Sequence, residues 1–188
     1  TLNATRRQRQ MCIRDSNRAE DDRRRDGVVK THTCWDVPIY RTALTANTIE
    51  QLLHRYYRPF HRALAERAAC GVIAGIDCHT MAEIGPPVGP DPGVPRPFIC
   101  ISNADRTCPS EWMSLLASCL RESFGRPIST NYPFQGGYIT RCHSKKLPWI
   151  QIEMNRTTTM SLSTKRARLV EALARFAEVI TSLKEEAV

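Results

Sequence analysis

Residues 72–79 read VIAGIDCH, an apolar run that ends in an acid, a thiol and an imidazole. A short apolar run that follows a helical pattern is typical of a strand buried on both faces of a largely parallel sheet. In open α/β sheets the functional side chains collect at the carboxyl ends of the strands. We therefore expect a strand at residues 72–76 and place Asp77 and His79 at its carboxyl edge.

Helical and strand patterns alternate on both sides of this run. Apolar residues at helical spacing predict a helix from Asn47, which fits a capping box with Glu50, and Pro59 is expected to break or kink it near Arg58. The other expected elements are two strands and two helices, at residues 98–101 and 149–155 and at residues 110–124 and 164–185. The last helix is expected to bury Leu169, Val170, Leu173, Phe176, Ala177, Ile180 and Leu183. This alternation predicts an α/β fold of stacked layers, with a mostly parallel or mixed sheet flanked by helices.

Length and composition are those of one globular domain, with 188 residues of which 41% are hydrophobic and 24% are charged. A formal net charge of +8 would favour nucleic-acid binding if it were clustered. Residues 1–14 contribute four arginines and no acid, so the rest of the chain has 23 basic and 19 acidic residues, a net charge of +4. We therefore expect no nucleic-acid partner.

Neither a membrane segment nor an export signal is evident. No stretch approaches the roughly 18 consecutive apolar residues of a membrane span, and no secretory pattern opens the chain. We expect no membrane partner and a cytoplasmic location. The eight cysteines are scattered, without a Cys-x-x-Cys pair, and we expect them to be free thiols.

The N-terminus is unusual. Residues 11–16 read MCIRDS, which resembles the translation of sequencing-adapter DNA. We expect residues 1–16 to be a non-native tail and residues 17–188 to form a single α/β domain. A natural twin-arginine signal at Arg6 and Arg7 is the weaker interpretation, because no apolar segment follows them.

Three residues could carry chemistry, each with a structural alternative. A histidine at a strand end is more often hydrogen-bonded than metal-bound, although Asp77 is placed to orient the ring of His79 for a metal. Glu153 lies on the polar side of an alternating strand, so its carboxylate could face either a cleft or solvent.

Two further segments carry arginine, whose planar fork suits a bidentate carboxylate. One is the pair Asn17 and Arg18. The other is segment 136–141, which could be a tight turn that presents Tyr138 and Arg141, or a hairpin.

Four segments, in this order, resemble successive signatures of the N-formylglutamate amidohydrolase family. They read YYRPFHRAL at residues 56–64, IDCHTM at 76–81, GGYITR at 136–141 and QIEMNR at 151–156. Asn17 and Arg18, followed by the charged loop, resemble the Asp-x-Asn-Arg segment of the family. Four ordered matches are far more specific than any one of them.

The resemblance implies a fold like that of zinc carboxypeptidases, with Zn²⁺ held by two histidines and a carboxylate and a glutamate as general base. It implies that His79 is the later histidine ligand and that Glu153 is the base, while the spacing of Asp77 from His79 makes Asp77 the residue that would support this ligand. The substrate-binding residues are then Asn17, Arg18, Tyr138 and Arg141. The family's His-Ser-Gly segment and acidic ligand would precede Asn17, so we expect a chain truncated at its N-terminus and inactive alone.

The implied reaction is zinc-dependent hydrolysis of N-formylglutamate to formate and glutamate, as in histidine degradation. The partner is therefore a small N-formyl amino acid. One alternative is a related zinc amidohydrolase or carboxypeptidase-like enzyme that acts on other N-acyl amino acids. Another, favoured only by the net charge, is a noncatalytic nucleic-acid-binding protein.

Overall fold

The computed structural model describes residues 15–104 and 106–185. The predicted tail at residues 1–16 lies outside this part of the chain, except for Asp15 and Ser16. In chain order the helices and strands are α1 (Ala46–Leu52), a π-helical turn (Leu53–Tyr57), α2 (Arg58–Arg67), β1 (Gly75–Met81), β2 (Ile99–Ser102), α3 (Ser110–Phe124), β3 (Ser129–Thr130), α4 (Tyr138–His143), β4 (Trp149–Asn155) and α5 (Leu162–Glu185).

The four strands form one mixed sheet in the order β1-β4-β2-β3. β1 and β4 are parallel, β4 and β2 are antiparallel, and β2 and β3 are parallel. The expected α/β fold with a sheet flanked by helices is confirmed.

The main core lies between one face of the sheet and helices α3 and α5. Strand residues on this face alternate with polar residues on the other, as the pattern of residues 149–155 predicts. α3 buries one stripe at helical spacing, and its expected bounds at residues 110–124 are confirmed. The core is formed by Ile99, Ile101, Met113, Leu116, Leu120, Phe124, Ile150, Ile152, Met154, Ala172, Phe176 and Ile180, with neighbours.

The opposite face of the sheet is covered by α4 and by the segment that follows Asp15. α4 contacts both β1 and β4, and Ile139 packs in a small cluster with Leu147 and Trp149. A separate cluster joins Val28 and Val29 to Leu53 and Tyr57 of the π-helical turn. The covering layer therefore consists of several small clusters rather than one core.

The first helix starts one residue earlier than its predicted cap. Thr45 is the cap, with extended backbone and a side chain that accepts a hydrogen bond from the Thr48 amide at 3.1 Å. The expected capping box at Asn47 is wrong, because Asn47 already lies inside the helix. The helix is not broken near Arg58: the π-helical turn leads directly into α2, which starts at Arg58 with Pro59 in its first turn.

β1 runs from Gly75 to Met81 rather than over residues 72–76. Its pairing with β4 continues as far as Met81 opposite Asn155, which extends the strand beyond its apolar part. Asp77 and His79 consequently lie within the strand, not at its carboxyl edge as expected.

Two further expectations about helices are wrong. Segment 136–141 is neither a tight turn nor a hairpin, because α4 begins at Tyr138. In α5 the buried apolar residues are Ala172, Phe176 and Ile180, and Leu169 and Leu173 pack half-buried against the same core. Of the residues expected to be buried there, the exposed ones are Val170, Ala177 and Leu183.

No helix within residues 15–104 and 106–185 is both long enough and apolar enough to cross a membrane. The seven cysteines in this part of the chain are free thiols, as expected. Cys12 lies outside it.

Candidate active site

The parallel pairing of β1 and β4 places the predicted catalytic residues side by side. His79 is opposite Glu153, and Asp77 is opposite Gln151. Because residues two apart on a strand point to the same side, all four side chains share the sheet face that is turned away from the main core. We call these four residues the β1–β4 face.

Glu153 is a buried acid whose pKa is raised. It is only 8% exposed, and its Oε1 accepts a hydrogen bond from Gln151 Nε2 at 3.1 Å. Burial raises the pKa of the Glu153 carboxyl to about 7, although the neighbouring His79 opposes this rise. Of the two orientations that the sequence left open, the solvent-facing one is wrong.

His79 is held by a carboxylate on its own strand. Asp77 Oδ1 lies 2.8 Å from His79 Nε2. Burial favours the neutral ring, but the hydrogen bond and the charge of Asp77 outweigh it, so the pKa of His79 is raised. The other carboxylate oxygen of Asp77 is buried and has no hydrogen-bond partner within the described residues.

Asn17 belongs to the layer that covers the sheet, and it contacts the β1–β4 face from there. Its Oδ1 accepts a hydrogen bond from the Ile139 amide at 2.8 Å, at the start of α4. This fixes the amide so that Nδ2 points toward the face, 3.3 Å from His79 Nε2 and 3.5 Å from the oxygen of Gln151.

The Gly136-Gly137 pair permits this close approach. A Cβ on Gly137 would overlap the side-chain amide of Asn17, and one on Gly136 would overlap Ala104. Gly136 also has a φ of 97°, in the region that favours glycine. Gly137 therefore allows the start of α4 to meet Asn17, and Gly136 allows the same segment to pass Ala104.

These contacts assign the two ring nitrogens of His79 different roles. The carboxylate of Asp77 can only accept, so Nε2 of His79 carries a proton and donates the hydrogen bond between them. Asn17 Nδ2 then donates to Gln151. The Nδ1 atom of His79 is left with a free lone pair, and no partner for it is found among the described residues.

Zinc, which the family resemblance implies, takes nitrogen, oxygen or sulfur donors, and its catalytic sites have three protein ligands. Nδ1 of His79 is a suitable donor, and the carboxylate of Asp77 holds the ring from its opposite side at Nε2. However, His79, Asp77 and Glu153 do not bring three ligand atoms within reach of one ion. The β1–β4 face therefore fits part of a zinc site, with one imidazole ligand, and not a complete one.

The remaining predicted residues do not join this face. The guanidinium of Arg18 bonds to the backbone oxygen and the carboxylate of Asp26, at 3.1 and 3.3 Å. Tyr138 contacts the ring of His61 instead. Arg141 is exposed and donates to the Gly136 carbonyl at 3.2 Å.

A second group of potential ligands lies between α2 and α4. His61, Cys142 and His143 each offer one ligand atom, and these atoms lie within 4.8 Å of one another. Within residues 15–104 and 106–185 this is the only group of three such side chains, and it could hold a metal ion. We call it the His-Cys-His cluster.

Sequence reasoning missed this cluster and two other features of the site. Gln151 could have been found, because it lies two residues before Glu153 on the same side of a strand. The buried ion pair between Arg96 and Asp91 could not have been found from the sequence; its nitrogen–oxygen distances are 2.6 to 2.8 Å. It forms inside a Pro- and Gly-rich loop with no periodic pattern, yet the charge of Arg96 acts on Glu153.

Two solved structures share the fold of this chain. N-formylglutamate amidohydrolase from Ralstonia eutropha JMP134 gives a TM-score of 0.70 with 22% identity, over 91% of this chain and 74% of its own. A gene product from Agrobacterium tumefaciens gives a TM-score of 0.68 with 15% identity, over 92% of this chain and 68% of its own. At these identities the similarity establishes the fold alone.

The comparison of sequences establishes the family. No curated protein matches this chain in sequence. The sequence profile of N-formylglutamate amidohydrolase, in contrast, matches residues 5–160, which is most of the chain and includes the whole β1–β4 face. The chain therefore belongs to the N-formylglutamate amidohydrolase family.

Proposed function

We propose that this protein hydrolyses the N-formyl amide of N-formylglutamate, giving formate and glutamate, with Zn²⁺ as cofactor. Membership of an amidohydrolase family supports the reaction type. The observation that carries the proposal is the buried Glu153 beside His79 and Asp77, because this is the pairing of base and ligand that the family resemblance implies.

Glu153 acts as the general base. A carboxyl with a pKa of about 7 is divided between its two protonation states at neutral pH, so it can take a proton from water and return it to the leaving amine. Gln151 orients this carboxylate through its hydrogen bond. The burial of Glu153 keeps bulk water from competing for the proton.

His79 supplies one metal ligand through Nδ1, with its ring fixed by Asp77 at Nε2. Zinc, when bound, polarises the amide carbonyl and lowers the pKa of a bound water to about 7. Since the described residues provide one ligand here, we propose that the other two are the histidine and the acid that the family resemblance places in a His-Ser-Gly segment and after it. Without them, we propose, residues 1–188 alone are inactive.

The substrate carries carboxylates, and Arg18 and Arg141 are the arginines proposed to bind them, with Asn17 and Tyr138. Arg18 already pairs with Asp26 at 3.3 Å. Substrate would have to replace that contact, which is exposed enough for exchange.

A cytoplasmic location and a place in histidine degradation belong to the same proposal.

The test compares N-formylglutamate with its N-acetyl and N-succinyl analogues, using a protein extended to include the family's His-Ser-Gly segment. We expect zinc-dependent turnover with a preference for the formyl compound. Residues 1–188 alone, assayed in parallel, should turn over none of them. A preference for a larger acyl group would favour the alternative amidohydrolase, and no hydrolysis of any analogue by the extended protein would refute the proposal.

A further inference from the structure

The His-Cys-His cluster has no role in the proposed reaction, yet its geometry is that of a ligand set. Nδ1 of His61 lies 2.9 Å from Nε2 of His143, and the two rings are stacked with a 10° interplanar angle. Cys142, the neighbour of His143 on α4, places its sulfur within 4.8 Å of both nitrogens.

The backbone fixes which nitrogen of His61 is available. The other ring nitrogen, Nε2, lies 3.0 Å from the carbonyl oxygen of Ser16. A carbonyl only accepts, so the proton of His61 is on Nε2, and the lone pair on Nδ1 faces His143. A histidine that donates its distant N–H to a carbonyl while offering the other nitrogen is the usual arrangement at protein metal sites.

The facing nitrogens of the two rings already converge on one another. In the absence of an ion, the two facing nitrogens can share only one proton, as a hydrogen bond. A cation in place of that proton would accept the lone pairs of both nitrogens and of the Cys142 thiolate.

The two histidine nitrogens are spaced for a tetrahedral ion with little movement, and the sulfur of Cys142 lies within 4.8 Å of the ligand atoms of the histidines. Zn–N bonds of about 2.0–2.1 Å in a tetrahedral site separate two ligand nitrogens by roughly 3.3 Å. The observed 2.9 Å would have to widen by only a few tenths of an ångström. Cys142 is exposed, which leaves an open side for a fourth ligand such as water.

We propose that His61, Cys142 and His143 form a binding site for a thiophilic divalent cation of the Zn²⁺ type, separate from the β1–β4 face. Two imidazoles and one thiolate match the ligand preference of Zn²⁺, whereas Mg²⁺ and Ca²⁺ prefer oxygen. The ion would join α2 to α4. Through Ser16 it would also steady the segment whose next residue, Asn17, closes the active face.

The test is a titration of the metal-free, reduced chain with Co²⁺, which reports thiolate ligands by a charge-transfer absorption band. We expect one equivalent to produce that band and Zn²⁺ to displace it. Cys142→Ser should abolish the band, and His143→Asn should weaken Co²⁺ binding at least about tenfold. Circular dichroism of each variant checks that it is folded.

Matched controls separate this site from the one proposed for catalysis. Cys70→Ser removes another exposed thiol, His54→Ala another exposed imidazole on the same helical segment, and His79→Ala the ligand of the β1–β4 face. All three should keep the band. In the unmodified chain, Zn²⁺ should slow alkylation of Cys142 and leave that of Cys70 unchanged.

Three results would overturn the proposal: no thiolate band, a band that survives Cys142→Ser, or a band lost with His79→Ala. Zinc that leaves the alkylation rate of Cys142 unchanged would do the same without any substitution. Since none of these measurements depends on turnover, they stand apart from the outcome of the hydrolysis assay.

Discussion

Glu153 is the residue on which the proposed chemistry depends most, and an isosteric change tests it. Glu153→Gln keeps the size of the side chain but cannot accept a proton. In the zinc-loaded, extended protein we expect kcat to fall by about 10² to 10⁴-fold while zinc content and folding are retained. Glu111→Gln, at an exposed position of α3, is the control. Loss of zinc together with activity would make Glu153 a ligand or a structural support.

The raised pKa of Glu153 also predicts how the stability of the metal-free protein depends on pH. The folded state holds the proton up to about pH 7, whereas the unfolded chain releases it near 4.5. The folded state therefore binds more protons in this window, and stability falls as pH rises through it, by as much as about 3 kcal/mol. The raised pKa of His79 acts in the same direction.

Urea unfolding at several pH values measures this dependence. Glu153→Gln should be the less pH-sensitive protein between pH 4.5 and 7. An equal slope in both proteins would mean that Glu153 titrates at its ordinary pKa.

Asp77 and His79 should respond differently to substitution. His79→Ala removes a ligand, so both metal and activity should be lost from the extended protein. Asp77→Asn leaves the ligand in place but weakens its support, and we expect a loss of about 10 to 100-fold in zinc affinity or activity. Metal analysis and kinetics on the same samples distinguish the two effects. An unaffected Asp77→Asn protein would leave Asp77 a structural residue only.

At the scale of single elements, the start of α4 is where a small change should have a large effect. Gly137→Ala places a methyl group on the amide of Asn17. We expect loss of the hydrogen bond between Asn17 and Ile139, a destabilisation of about 1–3 kcal/mol, and reduced activity in the extended protein. Gly89→Ala, where the added Cβ meets no atom closer than 3.4 Å, is the control. Equal stability of the two variants would contradict the close contact.

Elements with a strong local pattern were predictable from the sequence, and elements fixed by distant partners were not. α3 carries an apolar stripe, and β4 alternates, so their bounds follow from the residues themselves. β1 extends past its apolar run because β4 pairs with it. α4 begins where Asn17 meets Gly137, a contact across 120 residues of sequence (137 minus 17) that no periodic pattern records.

In the candidate site, too, some residues were predictable from local motifs and others were not. Asp77, His79 and Glu153 could be named from motifs, and the sheet brings them together. The proximity of His61 to His143 depends on how α2 docks on α4. The contacts that occupy Arg18 depend on the fold of a charged loop that has no regular structure.

At the scale of the whole molecule, stability should depend mainly on the core between the sheet and the two long helices. Phe176 is 2% exposed and meets the ring of Trp112 edge-on at 6.1 Å. Phe176→Ala should therefore cost about 3–5 kcal/mol in urea unfolding. Val179→Ala, at a position 41% exposed on the same helix, should change stability far less. Similar losses for both variants would mean that α5 packs differently.

The position of β4 in the sheet has a consequence for how the protein is made. β4 lies between β1 and β2, but of the four strands it is the last along the chain and so the last to leave the ribosome. Its Trp149 follows its partner Gly75 by 74 residues (149 minus 75). At about 5–20 residues per second, β1 waits roughly 4 to 15 seconds for its neighbour. During that interval β1 and β2 both present unpaired edges, which are templates for aggregation. A nascent chain that stalls before Trp149 therefore has only the short pairing of β2 with β3, and β1 has no partner in the sheet.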